Sequence, residues 1–257
     1  MSHQFKKQFG QNFLTNPKWI QKILSVAEIN KEDVVLEIGP GDGRVTAELL
    51  KIAKQVISVE IDTTLLNDLN TKFKDFKNFT LINQDILQLD LATLDIDLQK
   101  IKLIGSLPYN ISKKIIRKFL ENNQLIKSMT FIVQKEVGAS YAAQVPDATF
   151  LSNYVQIYSL LTYHGKIPKE HFYPKPKVDG AIIKISNLQK ISSQKTVLQE
   201  FIKLGFTHPR KKVSSVICKG TTDKVKFEEK LVELGYKLSA RAQEIKHEDW
   251  QKLQNSL

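Results

Sequence analysis

The sequence predicts an α/β protein: a Rossmann-like, mostly parallel sheet of seven strands, followed by a small all-helical C-terminal domain. From Val34 to Ile185, short apolar segments alternate with amphipathic helical segments, as in a parallel sheet with right-handed crossovers. A strand, a glycine-rich turn and a helix follow one another within residues 34–50, the layout of a nucleotide-binding crossover. Near Asn187 the composition changes, which predicts one domain over residues 1–187 and a second over residues 188–257.

The individual elements follow from periodicity and cap residues. Residues 5–17 have no clear period and are expected to form an ordered arm. Asn16 as N-cap and Pro17 at the first helical position predict a helix from Lys18 to Ala27. Strands are predicted near residues 33–38, 55–60, 79–83, 101–104, 129–133, 156–162 and 180–185, the first five of them parallel. Helices are predicted within 136–153 and at 193–204, 211–218, 222–234 and 247–253.

The glycine-rich turn follows the first strand of the sheet and carries glycines at positions 39, 41 and 43. Glycine allows unusual dihedrals and a close approach of the backbone to a ligand. The spacing G-x-G-x-G differs from the dinucleotide pattern, and no Gly-Lys-Ser/Thr follows, which argues against NAD and against a phosphate-cradling loop. A tight turn without a ligand is the alternative interpretation.

Acidic residues end the next two predicted strands. Glu60 ends the second strand, where a carboxylate can accept both hydroxyls of a ribose. Asp85 ends the third, where it can accept a hydrogen bond from an adenine amine. A glycine turn, a ribose acid and an adenine acid describe a pocket for an adenosyl group without phosphates. S-adenosylmethionine is such a ligand.

The composition indicates the cellular compartment and excludes several kinds of site. Cys218 is the only cysteine, so an intrachain disulfide or a multi-cysteine metal site is impossible, and a reducing cytosol is expected. The five histidines show no metal-ligand spacing, and no apolar run approaches the roughly 20 residues of a membrane helix. The N-terminus has no apolar core of a secretory signal.

The chain has a formal net charge of +11, and the basic excess is uneven. Residues 187–257 hold 14 basic and 8 acidic residues, more than half of the net charge in a short segment. Such a basic domain indicates a polyanionic partner. A solvated lysine-rich surface explains the same charge and stays an alternative.

A third candidate region, residues 102–112, follows the fourth predicted strand and should face the glycine turn. It offers the hydroxyl of Ser106, a backbone carbonyl in a segment stiffened by Pro108, and the ring of Tyr109. A planar base could stack on the ring while its exocyclic amine donates to the serine oxygen and the carbonyl. Taken alone, the region is better explained as an ordinary proline turn with a core tyrosine.

Together these motifs resemble the KsgA family of ribosomal RNA adenine dimethyltransferases. The motifs span almost the whole chain in family order: Phe-Gly-Gln-Asn-Phe-Leu at 9–14, Leu-Glu-Ile-Gly-Pro-Gly at 36–41, Val-Glu-Ile-Asp at 59–62, Gln-Asp-Ile-Leu at 84–87, Leu-Pro-Tyr-Asn-Ile-Ser at 107–112, Val-Gln-Lys-Glu at 133–136, Phe-Tyr-Pro-Lys-Pro-Lys-Val-Asp at 172–179, Pro-Arg-Lys-Lys at 209–212 and Leu-Ser-Ala-Arg-Ala-Gln-Glu at 238–244. Erythromycin-resistance methyltransferases, which act on large-subunit rRNA, share the Pro-Lys-Pro-Lys-Val segment but not the tail.

The resemblance implies dimethylation of two adjacent adenines in small-subunit rRNA, with S-adenosylmethionine as the methyl donor. It implies an immature small ribosomal subunit as the partner, a monomeric protein and a cytoplasmic location. The residues that it places at the cofactor are Asn12, Leu14, Gly39, Gly41, Glu60, Ile61, Asp85, Ile86 and Ser106. The residues that it places at the target base are Ser106, Leu107, Pro108, Tyr109 and Phe172, with the two rings sandwiching the base.

The chain departs from the usual family pattern at a few positions. Ser106 stands where asparagine is usual, Ser140 where arginine is common, and Gly180 where serine is common. Arg210 is a single arginine where two are usual. These departures leave a second hypothesis open, a non-catalytic RNA-binding assembly factor on the same fold.

Basic residues after the target-base region are candidates for RNA contacts. Lys113, Lys114, Arg117 and Lys118 should share one face of a helix, opposite its apolar residues. That face could hold phosphates, although a plain solvated face explains it equally well. The remaining candidates are Lys6, Lys7, Arg210, Lys211 and Lys212.

Overall fold

The computed structural model describes residues 12–94, 101–219 and 223–257. The chain divides into two units. The first comprises the chain up to Gly138 together with Leu161–Leu188, and the second comprises Ala139–Leu160 together with Gln189–Leu257. The predicted arm begins before the described residues, since only its part from Asn12 onward is included.

The strands are β1 (Phe13–Leu14), β2 (Val34–Ile38), β3 (Gln55–Glu60), β4 (Phe79–Asn83), β5 (Ile101–Ser106), β6 (Ile126–Gln134), β7 (Leu160–Ile167), β8 (Phe172–Tyr173) and β9 (Gly180–Ser186). Seven of them form one sheet in the order β4-β3-β2-β5-β6-β9-β7, and β1 and β8 form a two-stranded ribbon. β2 to β6 pair in parallel and β9 is antiparallel to β6, so the prediction of five parallel strands is confirmed.

Helices lie before, between and after the parallel strands, which need crossover connections. In the first part of the chain they are α1 (Pro17–Ala27), α2 (Arg44–Ile52), α3 (Thr63–Phe73), α4 (Ser112–Glu121) and α5 (Lys135–Ala142). The predicted start of α1 is confirmed, because the Asn16 side chain accepts a hydrogen bond from the Lys18 amide at 2.9 Å. Among the described helices, none is both long and apolar enough to cross a bilayer.

The core lies on both faces of the sheet. All five residues of β2 are buried, which is expected of a central parallel strand covered by helices on both sides. α1 contributes Ile20, Ile23 and Leu24 to the core cluster.

The strand predicted at 156–162 is wrong in its boundaries. Residues 150–158 form a helix, α6 (Phe150–Tyr158), and the strand β7 begins only at Leu160. Thr149 and Ser152 form a reciprocal capping box that fixes the start of α6. The short apolar run has no periodicity that separates a buried helix from a strand, and the cap decides for the helix.

The second unit is helical and contains α6, α7 (Ser193–Gly205), α8 (Val213–Ile217), α9 (Lys224–Glu233) and α10 (His247–Gln254). Trp250 is fully buried, with its ring 6.0 Å from that of Phe201 and 5.9 Å from that of Phe206. The Tyr158 hydroxyl of α6 donates to Gln199 of α7 at 2.8 Å. Burial of α6 against α7 explains why residues 139–160 belong to this unit, a grouping that the sequence did not reveal.

Candidate functional site

A cavity of about 270 Å³ opens at the carboxyl ends of β2, β3 and β5 in the first unit. It is enclosed by the glycine turn, by the segment after β4, by the loop after β5 and by β1. All of the residues predicted to bind the cofactor line it: Asn12, Leu14, Gly39, Gly41, Glu60, Ile61, Asp85, Ile86 and Ser106. The structure therefore brings together three strand ends that the sequence identified separately.

The glycine turn has the unusual backbone that its sequence predicts. Gly39, Gly41 and Gly43 have φ values of +67°, +59° and +78°, a region that residues with a Cβ rarely adopt. A Cβ on Gly41 would lie 2.7 Å from the ring of Phe13, so a side chain there would also force that ring to shift. Gly43 is the N-cap residue of α2, which starts directly beside the cavity.

Glu60 is the last residue of β3 and is 6% exposed. Its Oε1 accepts a hydrogen bond from the Asp62 amide at 2.8 Å. Burial raises the pKa of Glu60, while the backbone N–H groups of Asp62, Gly41 and Ile61 oppose the shift. Since each carboxylate oxygen can accept more than one hydrogen bond, acceptor capacity remains for hydroxyl donors of a ligand.

Glu37 also lines the cavity, and the sequence motifs assigned it no role. Its side chain is buried in β2, where the hydroxyls of Thr46 and Ser58 both donate to Oε2 at 2.7 Å. Burial raises the pKa of Glu37 to about 7 against the opposing effect of these two donors. The sequence feature that could have identified Glu37 is its position as the single acid in an otherwise apolar five-residue strand.

Asp85 organises the segment that follows β4. Its Oδ1 accepts from the Leu87 amide at 2.9 Å, and its carbonyl accepts from the Gln88 amide at 2.9 Å. The preceding Gln84 amide donates to the Glu60 carbonyl at 3.1 Å. The two acids predicted at adjacent strand ends are therefore joined by backbone hydrogen bonding.

Ser106, the last residue of β5, and Pro108 in the loop after it both line the cavity wall. Leu107 points away into the core, with 1% of its surface exposed, and its amide donates to the Ile132 carbonyl at 2.9 Å. The Pro108 carbonyl accepts from the Ile111 amide at 3.1 Å, which closes the turn that leads into α4. Asn110 and Ile111 line the cavity as well, although no role was predicted for these two members of the motif at 107–112.

Tyr109 and Phe172, the predicted base sandwich, are both outside the set of cavity-lining residues. The Tyr109 hydroxyl is buried and lacks a hydrogen-bond partner among the described residues. Burial, and then the charges of Asp179 and Glu136, raise the pKa of Tyr109 to about 12. Phe172 is 3% exposed and packs in the core cluster. The stacking role of the two rings stays a prediction.

α4 has the two faces that were predicted for it. Ile115, Ile116, Phe119 and Leu120 are fully buried, and Lys113, Lys114 and Arg117 are exposed. Arg117 pairs with Glu121 at 2.8 Å. Lys118 departs from the predicted stripe, because its ammonium donates to the carbonyls of Leu87 at 2.8 Å and Leu89 at 2.6 Å.

The remaining basic candidates lie elsewhere. Arg210, Lys211 and Lys212 are exposed in the second unit, between α7 and α8. Lys6 and Lys7 lie outside the described residues. Their contribution to RNA binding stays a prediction.

The charge of the cavity fits a cationic nucleoside ligand. Four acids line it, Glu37, Asp42, Glu60 and Asp85, and the guanidinium of Arg44 pairs with Asp42 at 2.7 Å. A sulfonium or ammonium group would favour the ionised forms of the two buried glutamates, whose pKa values burial has raised. No cluster of three or more metal-ligating side chains occurs among residues 12–94, 101–219 and 223–257.

The sheet order, the glycine turn and the acids at successive strand ends define the Rossmann-like class of S-adenosylmethionine-dependent methyltransferases. The model of the family described as ribosomal RNA adenine dimethylase matches residues 2–257. The chain therefore belongs to the ribosomal RNA adenine dimethylase family.

Its relatives include proteins named ribosomal RNA small subunit methyltransferase A. The one from Clostridium botulinum is 34% identical over 260 residues, covering 99% of this chain and 94% of the relative. The one from Dehalococcoides mccartyi is 36% identical over 252 residues, covering 96% and 87%.

Two solved structures have a similar fold. The 23S rRNA methyltransferase ErmE matches with a TM-score of 0.79 and 26% identity, over 95% of this chain and 99% of that one. A dimethyladenosine transferase from Plasmodium falciparum matches with a TM-score of 0.76 and 22% identity, over 94% and 95%.

Proposed function

We propose that this protein dimethylates two adjacent adenines of small-subunit rRNA, with S-adenosylmethionine as the methyl donor. The observation that carries the proposal is the convergence of Glu60, Asp85 and Ser106 on one acidic cavity beside the glycine turn. This arrangement supplies a ribose acceptor, an adenine acceptor and a site for the target amine within a single space.

The residues of the chain act mainly by binding and orientation. Glu60 would hold the ribose hydroxyls, Asp85 the adenine amine, and the positive-φ backbone at Gly39 and Gly41 would allow a close approach of the ligand. S-adenosylmethionine, when bound, supplies an electrophilic methyl group that a correctly placed amine can attack. Ser106, at the boundary between cofactor and target, would accept a hydrogen bond from that amine. Such orientation accounts for a large share of the rate in reactions of this kind.

Small-subunit rRNA is favoured over large-subunit rRNA as the substrate. The full-length relatives at 34–36% identity carry the small-subunit name, whereas the large-subunit methyltransferase ErmE is 26% identical. The C-terminal segment Leu238–Glu244 also follows the pattern of the small-subunit enzymes.

The partner is an immature small ribosomal subunit, bound by a monomer in the cytoplasm. The basic helical segment 188–257 and the exposed face of α4 provide positive charge for phosphate contacts. Methylation during assembly requires the target adenines to be unpaired and accessible, which fits a loop of a subunit that is not yet complete.

A second candidate function is a non-catalytic assembly factor that binds the same subunit. Ser106 favours it, because serine is shorter than the asparagine usual in this family and lacks the NH₂ donor. The cofactor cavity is retained in either case, so cofactor binding does not separate the two candidates.

The experiment that separates them is methyl transfer from labelled S-adenosylmethionine to immature small subunits, followed by mapping of the modified adenines. Mature small subunits and large subunits serve as controls. We expect two adjacent dimethylated adenines in the immature small subunit only. Binding to the subunit without any transfer would establish the assembly factor, and transfer to large-subunit RNA would refute the proposed substrate.

A further inference from the structure

Lys118 lies on α4 but does not join the exposed basic face of that helix. Its ammonium donates hydrogen bonds to the backbone carbonyls of Leu87 at 2.8 Å and Leu89 at 2.6 Å. Both carbonyls belong to the segment that follows Asp85, and Leu87 itself lines the cofactor cavity. One cationic side chain of the helix therefore holds two points of the segment that forms one wall of the cavity.

The N-terminal end of α4 adjoins another part of the cavity wall, because its N-cap residue Ile111 lines the cavity. The helix continues directly from the loop that carries Ser106 and Pro108, and Ile111 joins the two through a hydrogen bond from the Ile115 amide at 3.0 Å. The apolar face of α4 is fully buried, so the helix cannot shift without breaking the core. A bond from this helix to the Asp85 segment thus connects two cavity walls that are distant in the sequence.

The charges near Lys118 reinforce this contact. Partial burial lowers the pKa of Lys118, and the nearby carboxylates of Asp85 and Asp90 counteract the shift. A charged donor on a carbonyl makes a stronger hydrogen bond than a neutral one. Two other side chains stabilise this segment. The Asp85 carboxylate accepts a hydrogen bond from the Leu87 amide, and Asp90 is the N-cap of the turn Leu91–Thr93.

We propose that Lys118 is a positioning residue that fixes the Asp85 segment against α4 and thereby sets the shape of the adenine end of the cofactor cavity. Lys118 then acts on cofactor affinity and not on RNA phosphates, unlike the exposed lysines of the same helix. The inference rests on the proposed function in one respect, since it takes S-adenosylmethionine as the ligand of the cavity.

The test compares Lys118→Met, Lys118→Arg and the control Lys114→Met, which removes an exposed lysine of the same helix. Calorimetry measures the Kd for S-adenosylmethionine, and RNA binding is measured over a range of salt concentrations. Lys118→Met should raise the cofactor Kd by about tenfold, as expected if only about a tenth of the ligand-free molecules then keep the Asp85 segment in its binding position. Lys118→Arg keeps the donors and should recover most of that affinity. Lys114→Met should leave the cofactor Kd unchanged and flatten the salt dependence of RNA binding.

Hydrogen exchange without cofactor tests the contact independently of the ligand. The amides of Leu87 and Gln88, which are bonded within the turn, should exchange faster in Lys118→Met than in the wild type or in Lys114→Met. Unchanged exchange, or an RNA salt dependence altered as in Lys114→Met, would overturn the inference. If the wild type binds no S-adenosylmethionine, the proposed function is rejected. The contact made by Lys118 is still supported in that case if Lys118→Met exchanges faster than the wild type.

Discussion

Leu14 and Phe172 are direct partners in the antiparallel ribbon formed by β1 and β8. Leu14 lines the cofactor cavity, and Phe172 is the residue predicted to cover the target base. Both side chains are almost fully buried. The Thr15 amide and hydroxyl extend the ribbon by donating to the His171 carbonyl at 2.9 and 3.0 Å. The segment that borders the cavity is thus joined to the segment that carries the predicted base contact.

Replacing Glu60 should weaken cofactor binding. Glu60→Ala removes the carboxylate at the tip of β3, so the ribose hydroxyls would lose their acceptor in a buried site. The expected loss is about 1–3 kcal/mol of binding free energy, the usual cost of an unsatisfied buried polar group. Calorimetry with S-adenosylmethionine measures it, with the exposed Glu32→Ala as the control. Equal affinity in the two variants would exclude Glu60 from the site.

Glu37 should make the stability of the ligand-free protein depend on pH. Burial raises its pKa from 4.5 to about 7, so between these values the folded state holds a proton that the unfolded state has lost. The stabilising contribution is complete below pH 4.5 and falls as the pH rises to about 7, by roughly 3 kcal/mol in total. Glu37→Gln cannot ionise, so its free energy of unfolding should increase relative to the wild type over this range.

The measurement for Glu37 is chemical denaturation at several pH values for the wild type, Glu37→Gln and the exposed control Glu32→Gln. The difference in free energy of unfolding between the wild type and Glu32→Gln should be independent of pH. A constant difference between wild type and Glu37→Gln would mean that Glu37 does not titrate between pH 4.5 and 7.

The exposed basic face of α4 should contribute to RNA binding through counterion release. Lys113, Lys114 and Arg117 replaced by glutamine should flatten the plot of log affinity against log salt, by about 0.7–0.9 for each phosphate that the protein no longer neutralises. A control of equal charge replaces three exposed lysines elsewhere in the first unit, Lys31, Lys51 and Lys74. If both triple variants change the slope equally, the α4 face is an ordinary solvated surface.

Ser106 should act on the chemical step and not on cofactor binding. Ser106→Ala removes the proposed acceptor of the target amine, so kcat should fall while the Kd for S-adenosylmethionine stays nearly unchanged. Ser106→Asn restores the usual family residue and should keep or raise the rate. Single-turnover transfer to immature subunits measures both. A wild type without transfer, together with an active Ser106→Asn variant, would make the natural protein a binding module.

Tyr109 should act through its ring and not through its hydroxyl. Tyr109→Ala should remove a stacking contribution of about 1–3 kcal/mol to binding of the target base. Tyr109→Phe keeps the ring and removes only a hydroxyl that is buried without a partner among the described residues. It should therefore transfer methyl groups at the wild-type rate with undiminished stability. An inactive Tyr109→Phe variant would instead assign the hydroxyl a role in the reaction.

The residues that line the cavity could be predicted because each group of them is local in the sequence. The glycine turn, Glu60 and Asp85 each follow an apolar strand, and parallel strands bring their carboxyl ends to the same edge of the sheet. Glu37 was not predicted as a cavity residue, because its environment is set by burial and by hydrogen bonds from Thr46 of α2 and Ser58 of β3.

The sequence by itself determined the parallel direction of β2 to β6, the glycine turn, and the bounds of α1, α7 and α10 to within one residue. Periodicity, caps and glycine spacing act over a few residues and need no distant partner. Only the tertiary structure decided that Lys118 turns inward to Leu87 and Leu89, that Leu14 pairs with Phe172, and that α6 packs with the C-terminal helices. These outcomes depend on which surfaces the folded chain brings together. A long amphipathic side chain can reach water or a buried carbonyl from the same helical position, and its neighbours make the choice.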